Sequence, residues 1–163
     1  MNDAMLQARR SLMLGAAAIA SMPGGAAADD ADTGARQTAN LEVIRRYAAA
    51  WSAGDLKAIV ACYHPEFTLH YFGRSALAGD HAGLTKSLAT LAEFSRRTQR
   101  KLVGIVDAFS GPERAAVIAR ERFTHAGQEQ EFERLFVYSI KDARLHHCWV
   151  YDSDTELVDR YLT

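Results

Sequence analysis

Four side chains carry most of the acid–base potential of this sequence: His70, Tyr71, Tyr47 and His146. An imidazole titrates near ~6.5, so a histidine gives or takes a proton at neutral pH. A tyrosine hydroxyl can polarise a substrate oxygen. His70 and Tyr71 are neighbours in LHYFGRSALAGDHAG, residues 69–83. In EFTLHYF, Phe67, Leu69 and Tyr71 fall on one face of a strand, and Glu66, Thr68 and His70 on the other. Alternation alone makes Tyr71 a packing residue and His70 a surface one, and lets only one of them face a ligand.

LHHCWVYD raises the same question for His146. Strict alternation puts His146, Cys148, Val150 and Asp152 on one face, and Leu145, His147, Trp149 and Tyr151 on the other. His146 then has Asp152 or Glu121 as a partner for acid–base work. The competing reading makes His146 a rim residue and gives His147 and Trp149 to a dimer surface. Asp80 beside His81 reads as a helix cap. Glu121 and Arg134 read as a structural ion pair across a hairpin, because buried charge needs a partner. Six histidines are present, yet none shows His-x-x-x-His spacing, and Cys62 and Cys148 form no Cys-x-x-Cys. We expect no metal and no cofactor. The glycine loop lacks Gly-Lys-Ser/Thr, so it is no phosphate cradle. The cysteines read as two buried single thiols.

These side chains must be positioned by one ordinary domain. The chain has 163 residues, 48% hydrophobic and 24% charged, with a net charge of −1. No basic stripe is present, which excludes nucleic acid as a partner. Arg96-Arg97 and Arg100-Lys101 read as a solvated helix end. Residues 1–28 follow the plan of an export signal: Arg9-Arg10, an apolar run from Leu12 to Ala20, and Ala-x-Ala at Ala26–Ala28. The paired arginines before Ser11-Leu12 point to the twin-arginine route and a periplasmic or secreted protein. The apolar run is too short for a permanent membrane anchor. Residues 29–38 read as a loose linker, and residues 39–163 as the domain.

Within the domain, Thr38 or Asn40 caps a helix whose stripe is Leu41, Ile44, Tyr47, Ala48 and Trp51, ended by Gly54. Asp55 caps a second helix, stopped by Pro65. A third helix runs from Gly83 to Arg97 after the first strand and its glycine loop. Strands follow, with a hairpin signal at Ala126-Gly127 and a turn at Lys141-Asp142. The tail is a short helix or an extended arm. The fold class is α+β: a cone-shaped, curved, mostly antiparallel sheet wrapped over N-terminal helices, able to enclose an apolar cavity.

That order of elements resembles the nuclear transport factor 2-like superfamily, and within it the SnoaL-like and ketosteroid-isomerase-like proteins. The resemblance rests on RYAAAWSAGDLKAIVACYHPEFTLHYFG at residues 46–73, HYFGRSALAGDHAG, and ARLHHCWVYDSDTELVDRYL near the end. Ketosteroid isomerases use a strand carboxylate as base, with a tyrosine and a protonated aspartic acid as oxyanion donors. Tyr47 matches that tyrosine. The base position falls on His70 or Tyr71, and the second acid near Phe132 or Phe136, so the isomerase set is not intact. The resemblance implies a homodimer with a pocket for a small apolar or polycyclic molecule. It implies pocket contacts from Trp51, Leu69 and Phe72, and from Phe136, Tyr138, Cys148 and Asp152 on later strands. The expected activity is cofactor-free acid–base catalysis of the isomerase, cyclase, hydratase or dehydratase type. His70 or Tyr71 would move the proton, with Tyr47 and His146 polarising an oxygen. The alternative is a non-catalytic binding or dimerisation module.

Overall fold

The computed structural model describes residues 25–162. The export-signal reading lies outside the described residues as far as residue 24, and the last residues of that signal already open a helix. α1 (Gly25–Ser52) buries Val43, Ile44 and Tyr47 on one stripe. Residues 29–38 are therefore helical and not a loose linker. Their docking explains why. Gln37 Nε2 donates to the Ser110 carbonyl at 3.0 Å, and Ser110 Oγ returns a bond to the Gln37 carbonyl at 2.9 Å. Asn40 does not cap a helix; its amide donates to the Gly111 and Pro112 carbonyls at 3.1 and 3.0 Å.

Gly54 ends α1 at φ +66°, where Gly54 N–H reaches Trp51 O and Asp55 N–H reaches Ala50 O, each at 3.0 Å. Asp55 then caps α2 (Leu56–Ala61) by accepting the Ala58 N–H at 3.0 Å, as the sequence predicts.

Six strands form one sheet: β1 (Tyr63–Tyr71), β2 (Gly79–Ala82), β3 (Lys101–Ser110), β4 (Ala115–His125), β5 (Gln128–Lys141) and β6 (Arg144–Asp152). The order is β2-β1-β6-β5-β4-β3, antiparallel throughout except for the parallel pair β1–β6. α3 (Leu84–Thr98) lies between β2 and β3, and α4 (Thr155–Leu162) closes the chain. The fold class is the expected α+β. β2 is an addition: it pairs with β1 from Thr68↔Ala82 to Tyr71↔Gly79, inside what reads as a glycine loop. The hairpin β4–β5 turns at Ala126 and Gly127, φ +49° and +79°. The next turn is Asp142-Ala143, one residue later than expected, also with both φ positive. Both are two-residue turns whose twist matches that of the strands.

Two irregularities decide which side chains point where. β1 slips against β6 between Tyr63 and Thr68, and β6 slips against β5 opposite Ser139 and Ile140. The second slip is a bulge with His146 as the extra residue, and Ser139 Oγ accepts the His147 N–H at 3.1 Å. Leu145 and Cys148, three positions apart, both end in the core as a result.

α1 and α3 pack on the inner face of the sheet, and α4 packs on α3 and β6. α4 is also tied to the loop after β1. Asp159 accepts the Arg74 N–H at 2.7 Å and the Ser75 N–H at 3.1 Å. Gly73 makes this approach possible. Its φ is +126°, and a Cβ there would lie 2.5 Å from Asp159 Oδ1. Gly73→Ala should therefore lower unfolding stability by about 1–3 kcal/mol in urea denaturation. An unchanged midpoint would show that this contact does not hold α4 in place.

Candidate functional site

A pocket of about 210 Å³ opens between the helices and the inner face of the sheet. α1 contributes Tyr47 and Trp51, and α2 contributes Leu56, Ile59 and Val60. Tyr63, Phe67 and Leu69 of β1 form one wall, with Leu88, Leu91 and Ser95 of α3 opposite. Phe136 and Tyr138 of β5 and Cys148 of β6 close the sheet side, and Arg100 stands beside them. The walls are apolar, and the polar atoms are few and grouped.

Tyr47 is the centre of that group. Its hydroxyl lies 3.2 Å from the Tyr63 hydroxyl, and its ring meets Tyr138 edge-on at 5.4 Å. Burial pushes the Tyr47 phenol up to about 12, partly offset by hydrogen bonds from Tyr138 and Tyr63. Burial also pushes Tyr63 and Tyr138 well above the ordinary phenol range, and Tyr47's proximity adds to both shifts. Cys148 rises to about 12 for the same reason, burial. These groups therefore stay protonated at neutral pH and act as hydrogen-bond donors. When Tyr63 and Tyr138 donate to the Tyr47 oxygen, the Tyr47 O–H remains for a ligand. Among the described residues, the lining contains no histidine, aspartate or glutamate.

Arg100 supplies a cation to the lining. Gln99 at φ +47° turns the chain out of α3 and sets Arg100 just before β3. The guanidinium lies 5.9 Å from the Trp51 ring and 5.8 Å from the Phe94 ring. Its Nη1 is 3.3 Å from Glu121 Oε1. Glu121 Oε2 accepts from Arg134 Nη1 at 2.8 Å, and Arg134 Nε donates to Asp152 Oδ1 at 2.5 Å. Arg134 Nη2 donates to the Tyr71 hydroxyl at 3.2 Å, and that hydroxyl donates to Asp152 Oδ2 at 3.3 Å. The Glu121–Arg134 pair expected from the sequence exists, within a larger network. Burial opposes the charge of Arg134, but Glu121, Tyr71 and Asp152 together hold its pKa above the ordinary value. Burial, with Asp152 opposing ionisation, likewise raises the Tyr71 phenol against the pull of Arg134.

The structure sorts the sequence candidates into three places. Tyr47, Trp51, Leu69, Phe136, Tyr138 and Cys148 do line the pocket. Tyr71 and Asp152 point inward but are consumed by the Arg134 network behind it. His70, Phe72 and His146 lie elsewhere. His70 takes the outer face, as alternation requires once Tyr71 is buried. There its Nδ1 is 2.7 Å from Asp80 Oδ1, its Nε2 is 2.9 Å from His147 Nδ1, and its ring stacks on Trp149. Asp80 therefore pairs with His70; Gly83 occupies the N-cap of α3. Phe72 is exposed and touches Tyr151. His146 belongs to the bulge, so it leaves the Cys148 face and meets His64 and His147, with ring centroids 5.0 and 4.4 Å away. Asp152 and Glu121 are both out of its reach because Arg134 holds them.

Sequence reasoning missed Arg100, Tyr63 and Phe67 as pocket residues. Arg100 reads as a solvated helix end because nothing local marks the left-handed turn at Gln99. Tyr63 reads as the end of the second helix before Pro65, whereas it opens β1 on the same alternating face as Phe67 and Leu69. Cys62 and Cys148 are free and buried, as expected. Among the described residues, no helix is long and apolar enough to cross a membrane.

The sequence matches the SnoaL-like domain family over residues 44–147. Among solved structures, it is similar to Bal32a from a soil-derived mobile gene cassette: 24% identity, 78% of this chain and 99% of that one, TM-score 0.69. A nuclear transport factor 2-like protein of Burkholderia xenovorans LB400 shares 21% identity over 78% of this chain and 98% of its own, TM-score 0.62. TerC, co-crystallised with polyporic acid, shares 16% identity over 76% and 98%, TM-score 0.64. A search of curated proteins finds no match. At these identities the structures establish the fold.

The buried network predicts a stability effect separable from any ligand. Arg134→Met leaves Asp152 buried without its counter-ion and Glu121 with Arg100 alone. We expect a loss of about 3–5 kcal/mol in chemical denaturation. A loss within about 0.5 kcal/mol of zero would mean that the carboxylates find other partners or take up protons at little cost.

Proposed function

From the premise that the chain belongs to the SnoaL-like domain family, we propose that it binds a small, mostly apolar molecule by one oxygen atom of that ligand. The observation that carries this reading is the Tyr47–Tyr63–Tyr138 cluster in an otherwise apolar lining. A carbonyl or enol oxygen placed at Tyr47 would receive the phenol O–H, while the ligand's hydrocarbon body fills the space among Phe67, Leu88 and Leu91. At about 210 Å³ the pocket falls below the ~300–1,000 Å³ of drug-sized sites, which favours one or two rings over a larger polycycle. No cofactor enters this reading.

A second reading is favoured by Arg100 beside the three phenols. Donors and a cation gathered at one spot stabilise an enolate more than a ketone, the requirement for isomerisation or cyclisation through an enol. Among the described residues, the lining offers no histidine or carboxylate to remove the proton. The expected roles of His70, Tyr71 and His146 as proton carriers therefore give way to Tyr47 as electrophile, and water or the ligand itself must act as base.

One bicyclic ketone, 2-tetralone, tests both readings through Trp51 fluorescence. Tyr47→Phe should weaken its binding about tenfold and leave the hydrocarbon tetralin unaffected. Absence of saturable 2-tetralone binding to the unaltered protein would sink the pocket assignment. In deuterium oxide, protein-accelerated exchange of the α-protons, lost in Tyr47→Phe, supports the enolising reading. Exchange at the solvent rate confines the protein to binding.

We also infer an exported protein, from Arg9-Arg10, the apolar run and Ala26–Ala28. Terminal sequencing of the protein from a periplasmic fraction should begin at Asp29. An intact Met1 end in the cytosolic fraction would overturn this.

A further inference from the structure

The bulge in β6 also brings His146 beside His64 and Glu66, alternate residues at the start of β1. His64 and Glu66 sit in the irregular part of β1, and His146 is the extra residue of the β6 bulge. One donor atom from each lies within 4.8 Å of the other two. Glu66 Oε2 is 3.9 Å from His64 Nδ1 and 3.8 Å from His146 Nε2. None of the three lines the apolar pocket. We propose that His64, Glu66 and His146 form a binding site for one zinc-class divalent ion.

The donor chemistry selects the ion. Two imidazoles and one carboxylate match the three-ligand set of zinc sites that keep a position open for water. Mixed nitrogen and oxygen donors disfavour calcium and magnesium, which require oxygen ligands. Zinc bonds near ~2.1 Å in a tetrahedron place donor atoms about 3.4 Å apart, so each distance to Glu66 must close by about half an ångström and the two histidine nitrogens, within 4.8 Å of each other, must draw together as well. The exposed Glu66 side chain makes its part of that adjustment once Lys141 is displaced.

The histidines are held in place. The backbone N–H of Glu66 donates to His64 Nδ1 at 3.1 Å, so the ring proton sits on Nε2 and a metal at Nδ1 must replace that hydrogen bond. Nε2 faces Asp142 Oδ2 at 3.5 Å, the carboxylate arrangement that orients ligating histidines. His64 is 8% exposed, so its ring is held by packing. Burial, then the nearby charge of Lys141, holds His146 below the usual imidazole range and keeps it a neutral donor.

Lys141 occupies the place of the ion. Its ammonium donates to Glu66 Oε2 at 2.7 Å. A divalent ion must displace it, which yields a signature that general histidine stickiness lacks: removing Lys141 should tighten binding.

Calorimetric titration of the chelator-stripped, tag-free protein tests this. Zn²⁺ should bind at one equivalent and Mg²⁺ should not. His146→Ala and Glu66→Gln, both on partly or fully exposed side chains, should each weaken Zn²⁺ by about tenfold or more. Lys141→Gln should strengthen it. His70→Gln, on the same outer face but outside the triad, should leave it unchanged. Circular dichroism confirms that each variant is folded. The proposal is overturned if Zn²⁺ fails to bind, if His146→Ala and Glu66→Gln bind like the parent, if Lys141→Gln does not tighten binding, or if His70→Gln weakens it equally.

Discussion

Arg134 sits on the longest strand, and its guanidinium is carried into an interior of aromatic rings. It lies 4.5 Å from the Phe94 ring and 5.2 Å from that of Phe136. A charge there is tolerable only when it is matched and hydrogen-bonded. Glu121 and Asp152 supply two carboxylates from the strands on either side, and Arg100 returns a second positive charge against Glu121. The four charges balance. That balance binds β4, β5 and β6 together and commits Tyr71 of β1 to the same network. It also fixes where the polar interior ends and the apolar pocket begins, because Arg100 belongs to both.

This arrangement explains why the described residues give the pocket donors and no carboxylate or imidazole base. The inward carboxylates are spent on Arg134, and Tyr71 is spent with them. Among the described residues, the groups that remain facing the cavity include phenols that burial keeps protonated, a buried thiol, the Ser95 hydroxyl and the Arg100 cation. Such a set can hold or polarise an oxygen atom. It does not withdraw a proton by itself, which separates this chain from the pattern of a strand carboxylate with two oxyanion donors.

Strand alternation and one bulge perform a second separation. In β1, Tyr63 shares the inward face of Phe67 and Leu69, and His64 and Glu66 fall on the alternate positions. In β6, the bulge turns His146 away from Cys148. A pocket rich in tyrosine and an outer cluster rich in histidine therefore share the same short stretches of chain. Their chemistries stay apart because the sheet lies between them.

Much was decided by the sequence itself. Helical stripes, the Gly54 stop, the Asp55 cap and the Ala126-Gly127 turn are local signals, and the α+β class follows from their order. Tyr47, Trp51, Leu69 and Phe136 were expected in the pocket from the family resemblance, and they line it. His70 against Tyr71 was reduced by alternation to a choice between two faces, and the inward Arg134 made that choice by claiming the Tyr71 hydroxyl. His146 could not be placed from sequence, since one extra residue in a strand reverses the faces and leaves no mark in composition. Arg100 as a pocket cation, and His64, Glu66 and His146 as neighbours, depend on strand register and on a left-handed turn. Those are set by long-range pairing between β1, β5 and β6, and only the folded chain decides them.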